Sequence, residues 1–435
     1  MQGGKKSHMT RRGRRFLALG FLIAAALAAV AVAQGGGLGM AGLGSGPSGY
    51  VGKGGKMVGS GHGFGEVYKA PSATLSHALF SAKLIPGAKK PRNVALAALG
   101  RSTKKVNYGL ALKCWQNNGC KTGTGGKLTV AYVEGFGENV FRQMSKMEFI
   151  LQALTYPQIG KIIYRSAHSN LDQAIADFKS MIAQKVSAIV TYPDFGDAMI
   201  PVFQQATKAG IPVSTYAWGY VTGPGKNYTT VVGEDTCKLG KVFAGVMNKQ
   251  VGSGDIAFMG GFPGNPLSSS WQQCEQNALK SSIHVVANDP TNWDPSKVQG
   301  IVAGILAKYP HLKGLSYEDS AFMAQGGYAA YKAAGIKYQG VFTYRTDEAA
   351  LGCLAKKLKN PKLKIYYYTS GNPQIRVALT ADMMKLKHAK IPPTIVFPIK
   401  LQQQSKRSMC IKGYPQQASA SSLIPLKLLH RMYPS

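Results

Sequence analysis

Acidic side chains are scarce in this chain: 19 Asp and Glu stand against 52 Lys and Arg, a formal charge of +33 over 435 residues. Charged residues of either sign make up 16%, against the roughly 25% usual for soluble domains. Catalytic signatures are missing too. No Gly-x-Gly-x-x-Gly follows the first apolar β run and no P-loop Lys-Ser/Thr is present, so the familiar phosphate cradles are excluded. Gly260-Gly261-Phe262-Pro263-Gly264 is glycine-rich but lacks either context. The eight histidines form no HExxH or paired spacing, and no CxxC occurs, so neither a metal nor any other cofactor is expected. Without a Gly-x-Ser-x-Gly elbow, hydrolase chemistry lacks its nucleophile. An enzyme is therefore not expected. The basic residues are spread along the chain with no nucleic-acid module among them, so no nucleic-acid partner is expected either.

The shortage of carboxylates has two other readings. Few native ion pairs remain for protonation to break, which suits an acidic exterior. A cationic surface also suits contact with an anionic cell-envelope surface. The start of the chain points outward as well. Arg11, Arg12, Arg14 and Arg15 precede an apolar run over residues 16–33 that ends Ala31-Val32-Ala33, the pattern of a Sec or twin-arginine signal peptide. A periplasmic or extracellular location follows, and export makes disulfides the expected state of Cys114, Cys120, Cys237, Cys274, Cys353 and Cys410. Cys114 and Cys120 are close enough for a small loop; Cys237 with Cys274 and Cys353 with Cys410 is the simplest completion, although spacing alone leaves other connectivities open.

Strand, loop, helix and strand alternate from residue 127 to 194. KLTVAYVEG leads into a helical segment, KIIYRSAH into a second, and SAIVTYPD follows. This is the pattern of βαβ units and a parallel sheet, whose ligands bind beyond the carboxyl ends of the strands. Residues 1–33 read as the signal peptide and 34–126 as a Gly-rich linker with an N-terminal extension. Residues 127–235 form a first lobe and 236–369 a second, with a return to the first near 370–394. A crossing segment at 394–401 and a tail at 402–435 complete the chain.

Six segments follow one another over roughly residues 127–401: Asn139-Val140-Phe141, Asn170-Leu171-Asp172-Gln173-Ala174, Tyr192-Pro193-Asp194, Ala209-Gly210-Ile211-Pro212-Val213, Val232-Gly233-Glu234-Asp235 and Tyr317-Glu318-Asp319. In this order they resemble the periplasmic sugar-binding proteins of ABC importers, the type 1 group that includes ribose-binding protein. The resemblance implies an α/β fold of two Rossmann-like lobes with parallel sheets joined by a hinge. A sugar or polyol would be clamped between the lobes and the closed form read by an ABC permease, or by a chemoreceptor or sensor. In such a cleft aromatic rings cover the apolar faces of a sugar, while carboxylates, amides and arginines take its hydroxyls.

The candidate ligand contacts are Asn139, Phe141, Asp194, Trp218, Trp271, Asp319, Arg345 and Asn372, with Asp235 at the hinge. Several have a structural rival. Phe141 could staple a helix start, Asp194 could cap a helix, Trp218 could pack between lobes and Arg345 could be a solvated charge. Ser268-Ser269-Ser270-Trp271-Gln272 stands where the family commonly places an arginine, a departure from ribose-like recognition.

Overall fold

The computed structural model describes residues 98, 101, 103, 105–137, 139–217, 221–263, 266–318, 321–337, 340–345, 364–368, 372–397, 401–403, 418 and 422–433. The first elements are α1 (Tyr108–Gln116), β1 (Gly119–Lys121), β2 (Leu128–Glu134), α2 (Val140–Ala153), β3 (Ile159–Ser166), α3 (Leu171–Ala183), β4 (Ala188–Tyr192), α4 (Ile200–Lys208), β5 (Val213–Ala217) and β6 (Thr230–Glu234). Then come α5 (Thr236–Gln250), β7 (Gly254–Gly260), α6 (Pro266–Gln276), β8 (Ile283–Pro290), α7 (Pro295–Lys308), β9 (Gly314–Tyr317), α8 (Ala321–Ala333), β10 (Val341–Tyr344) and β11 (Lys364–Tyr368). The last are α9 (Gln374–Lys385), β12 (Thr394–Phe397), β13 (Leu401–Gln403) and α10 (Leu426–Met432). All described residues fall within one unit, Leu43–Ser435.

The strands form two sheets, one per lobe. The first has the order β1-β3-β2-β4-β5-β6-β12 and the second β13-β11-β10-β9-β7-β8. Both are parallel except at one edge, where β1 runs antiparallel to β3 and β13 antiparallel to β11. The inner strands are continuous apolar runs such as Ala188–Tyr192, buried along their whole length, as a sheet covered by helices on both faces requires. Strand order reverses at β2 in one sheet and at β7 in the other, so each lobe has its crevice at the carboxyl ends of those strands. The chain crosses between lobes three times, from β6 to α5, from β11 to α9 and from β12 to β13.

Several helices start where short polar side chains cap them. Asn139 accepts from Arg142 N at 3.0 Å, Asn170 from Gln173 N at 2.9 Å and Asp235 from Lys238 N at 2.8 Å, each satisfying a donor the helix would leave orphaned. Two disulfides form, Cys114–Cys120 and Cys237–Cys274; Cys353 and Cys410 lie outside the described residues. Among the described residues no helix is long and apolar enough to cross a membrane. The expected signal peptide and glycine-rich linker also lie outside the described residues.

The extension and the tail do more than drape the surface. Ala98, Leu428 and Leu429 are fully buried in the first lobe's core. Glu148 of α2 takes hydrogen bonds from Ser422 Oγ at 2.7 Å and Leu423 N at 2.6 Å, and pairs with Arg376 of α9. The tail is thus keyed to two helices at once.

Candidate ligand-binding site

In the first lobe β2 pairs with β3 and β4 so that Glu134 stands opposite Ser166 and Tyr192, aligning the three strand ends. Glu134 is 1% exposed. It accepts from the Tyr164 hydroxyl at 2.5 Å and lies 3.2 Å from Arg142, which arrives from the first turn of α2. The Arg142 guanidinium lies over the Tyr192 ring, 3.2 Å from its centroid, and donates to Asp194 Oδ1 at 2.5 Å. Asp194 Oδ2 accepts from Gly135 N at 2.9 Å, joining the loops that follow β2 and β4. Burial pushes Glu134 up to about 7 and raises Asp194 as well, with Arg142 opposing both shifts. Burial also disfavours the Arg142 charge, but Asp194 and Glu134 outweigh it and hold the guanidinium protonated.

The second lobe is built differently. Met259, Tyr317 and Tyr344 are in register across β7, β9 and β10, so Glu318 and Arg345 emerge from neighbouring strand ends. Glu318 Oε2 accepts from Trp271 Nε1 at 3.0 Å and from Ser268 Oγ, while Oε1 accepts from Trp293 Nε1 at 2.9 Å. A side chain at Gly261 would collide with both the Trp293 indole and Glu318. Asn292 and Trp293 both have left-handed backbone, at φ +55° and +53°, a conformation that costs a residue with a side chain about 1–2 kcal/mol. Strain of this kind gathers at functional sites. Ala217, at the end of β5, has φ +70°.

Contacts among the described residues span the lobes. Phe136, in the loop after β2, meets Trp293, in the loop after β8, edge to face with centroids 5.2 Å apart. Arg345 Nε donates to Glu234 Oε1 at 2.5 Å, and Glu234 ends β6 at the first crossing.

The candidates from sequence distribute as follows. Asp194 and Arg345 lie at the strand ends, in ion pairs with protein partners. Asn139 serves as the α2 cap, and Phe141 sits half-buried and edge-on to Tyr192 at 6.3 Å. Trp271 is fully buried and supports Glu318 from behind. Asn372 is also fully buried, donating to Phe141 O at 2.8 Å and Ser145 Oγ at 2.9 Å within the first lobe. Asp235 caps α5, next to the first crossing. Trp218 and Asp319 lie outside the described residues. Sequence reading passed over Glu134, Arg142, Phe136, Glu234 and Trp293. The available signal was a charge closing an apolar strand, as in LTVAYVE and TVVGE. No His, Cys, Asp and Glu cluster suited to a metal occurs among the described residues.

Residues 131–387 match the family described as periplasmic binding protein domain. The ribose import binding protein of Bacillus subtilis is 23% identical over 247 residues, 56% of this chain and 77% of that protein. Solved structures share the fold. A periplasmic solute-binding protein of an ABC transporter from Actinobacillus succinogenes, with bound D-allose, gives a TM-score of 0.56 at 21% identity, covering 64% of this chain and 99% of that one. A solute-binding protein from Bacillus halodurans with bound myo-inositol gives 0.55 at 18%, covering 65% and 97%. The fructose-binding periplasmic domain of a hybrid two-component system gives 0.57 at 17%, covering 64% and 91%.

Proposed function

Because the chain belongs to this family of periplasmic binding protein domains, we propose that it captures a small polar molecule, a sugar or polyol, between its lobes for delivery to the permease of an ABC importer. The family is one of binding proteins, and the protein performs no chemical step. The observation that carries the reading is the pair of facing strand-end clusters. Glu134, Arg142 and Asp194 face Glu318, Trp293 and Arg345, with the Phe136–Trp293 contact between the lobes. Hydroxyls suit the carboxylates and a sugar's apolar face suits an indole. Ligand binding favours closure, and the closed form is what a permease reads. The protein works outside the cytoplasmic membrane, where its positive surplus adds attraction to an anionic envelope. A second reading, presentation of the ligand to a sensor, is favoured by the likeness to a periplasmic domain of a two-component system.

A thermal-shift screen of sugars, polyols, nucleosides and amino acids, at pH 7 and pH 4, tests this reading. A ligand at a hundred times its Kd stabilises the native state by about 2.7 kcal/mol and raises Tm accordingly. A shift with one sugar or polyol class is the expected result. A shift confined to nucleosides or amino acids, or none at all, rejects the sugar reading.

A further inference from the structure

We infer that the cleft is built for a polyhydroxyl ligand that carries a positive charge, such as an amino sugar or amino polyol, rather than for a neutral or acidic one. This rests on the reading of the cleft as a sugar-binding site and names the chemical class within it.

The first observation is a reversal of charge. The chain as a whole carries +33. At the facing strand ends, however, the charged side chains tied together by ion pairs and hydrogen bonds are four carboxylates, Glu134, Asp194, Glu234 and Glu318, against two guanidiniums, Arg142 and Arg345, with the Lys146 ammonium nearby, 4.4 Å from the centroid of the Tyr164 ring. These groups form one connected set. Arg142 bridges Glu134 and Asp194, and Asp194 holds Gly135 next to Phe136. Phe136 meets Trp293, Trp293 donates to Glu318, and Arg345 acts on Glu318 while pairing with Glu234. A chain with so few acids has placed four of them in this one region.

The second observation is how the positive charges are used. Arg142 is 2% exposed, bridges two carboxylates and stacks on Tyr192. Arg345 is 5% exposed and bound to Glu234. Neither offers an open guanidinium fork of the kind that grips a carboxylate or phosphate. Glu318, by contrast, has no ion-pair partner at contact distance among the described residues: its oxygens are met by two indole N–H groups and a hydroxyl, which with Arg345 oppose the rise that burial gives its carboxyl. A sugar acid or sugar phosphate entering here would meet net negative charge at short range.

The third observation is aromatic. Trp293 is half-buried with left-handed backbone and is flanked by Phe136 and by Phe262, whose ring centroid lies 6.4 Å away. An indole face beside a carboxylate is a favourable setting for an ammonium group, worth more as water is excluded.

The test is isothermal titration of the full chain at pH 8, above the value of about 7 to which burial lifts Glu134. The probes are matched sets on pentose, hexose and inositol scaffolds: the neutral parent, a primary-amine derivative, its N-acetyl form and the corresponding acid where one exists. Neighbouring hydroxyls pull a sugar amine below the lysine value, so each amine probe is titrated on its own and its affinity is referred to the protonated fraction. On at least one scaffold the amine should bind tenfold or more tighter than its parent, the N-acetyl form should fall back to the parent, and the acid should not bind. Neutral parents binding as tightly as their amines, or any acid binding more tightly, overturns the inference and leaves sugar binding intact. No binding by any member of any set overturns the sugar-binding reading with it. Glu318→Gln, checked for folding by circular dichroism, should bring the ratio of amine to neutral-parent affinity close to one, whatever it does to either affinity alone; an undiminished ratio would overturn the role given to Glu318.

Discussion

In the first lobe a guanidinium, Arg142, is enclosed by Glu134, Asp194 and the ring of Tyr192, whereas in the second a carboxylate, Glu318, is enclosed by two indoles and a hydroxyl. Both walls bury charge, but they stabilise it by different means. The first uses opposite charge in a low-dielectric setting, where attraction is strong and the loss of a partner is severe. The second uses neutral donors, which together with Arg345 oppose the upward push that burial gives the Glu318 carboxyl. The surroundings differ in the same sense. The first wall is backed by α2 and α9, which the N-terminal extension and the C-terminal tail lock in place through Gln152, Glu148 and Arg376. The second is backed by α6, held to α5 by Cys237–Cys274 and by the close approach of Gly240 to Trp271 O. The first lobe therefore reads as the rigid half of the site and the second as the half that sets its charge.

The largest expected effect comes from breaking the first wall. Arg142→Met leaves Glu134 and Asp194 buried without their cation, and the loss should be about 3–5 kcal/mol of stability, measured by urea unfolding. The disulfides sharpen the comparison next. Closing the 37-residue separation of Cys237–Cys274 is worth about 4 kcal/mol on chain-entropy grounds, and the six-residue loop of Cys114–Cys120 about 2. Cys237→Ser with Cys274→Ser should therefore lower stability more than the Cys114 and Cys120 pair of substitutions. It should also weaken ligand binding, since α6 carries Ser268 and Trp271; equal affinity in both double variants would show that α6 needs no tether.

Much of this frame was legible in the sequence, and what escaped did so for identifiable reasons. The inner strands and their helices show as apolar runs with helical segments between: KLTVAYVEG holds β2, KIIYRSAH overlaps β3 and SAIVTYPD holds β4, with α2 and α3 as the two helical segments. The three-residue edge strands β1 and β13 are too short to carry a period, and both run antiparallel, which a βαβ pattern does not suggest. Helices α1 and α10 were lost inside segments of mixed composition. Among site residues, Asp194 was visible as an acid directly after a strand. Glu134 and Arg142 become a pair only through the register of β2 with β4 and the turn of α2. Trp293 directly precedes Asp294, which caps α7 by accepting from Ser296 N at 2.9 Å, and the left-handed backbone of Trp293 leaves no mark in the sequence.

A smaller effect concerns pH and the support behind the second wall. Glu275 of α6 is fully buried, its Oε1 accepting from Ser316 Oγ at 2.6 Å. Burial pushes it up to about 8, with the Ser316 hydrogen bond opposing. Its folded value lies above its unfolded one, so the folded state binds the extra proton. Stability is then full below the unfolded value, about 4.3, and declines as pH rises towards 8. Glu275→Gln should remove that decline. Any cost of the extra amide donor is the same at both pH values and cancels, so linkage gives a gain of about 3–4 kcal/mol at pH 8 relative to pH 5, read from Tm at the two values. Identical pH profiles for both proteins would mean that Glu275 is hydrated and ionised. Glu134, lifted to about 7, and Asp382, raised well above the ordinary carboxylate range, have the same sign. The protein as a whole should thus hold its fold through pH 4, consistent with a chain that has few carboxylates to lose.

The smallest effect separates capping from ligand contact on the first wall. Asn139 lies beside Phe141 and was a candidate ligand contact, yet its side chain accepts from Arg142 N at 3.0 Å as the cap of α2. Asn139→Ala should cost about 1 kcal/mol of stability, and Asn139→Ser should restore most of it, because serine caps nearly as well. A residue that only caps would let both variants keep wild-type ligand affinity once folded, since the cap fixes the position of Arg142 rather than touching solute. If Asn139→Ser recovers stability but still loses affinity tenfold, the amide reaches the ligand as well. The rigid wall would then contribute recognition of its own, and the division of labour between the two lobes would be less complete than their ion pairs suggest.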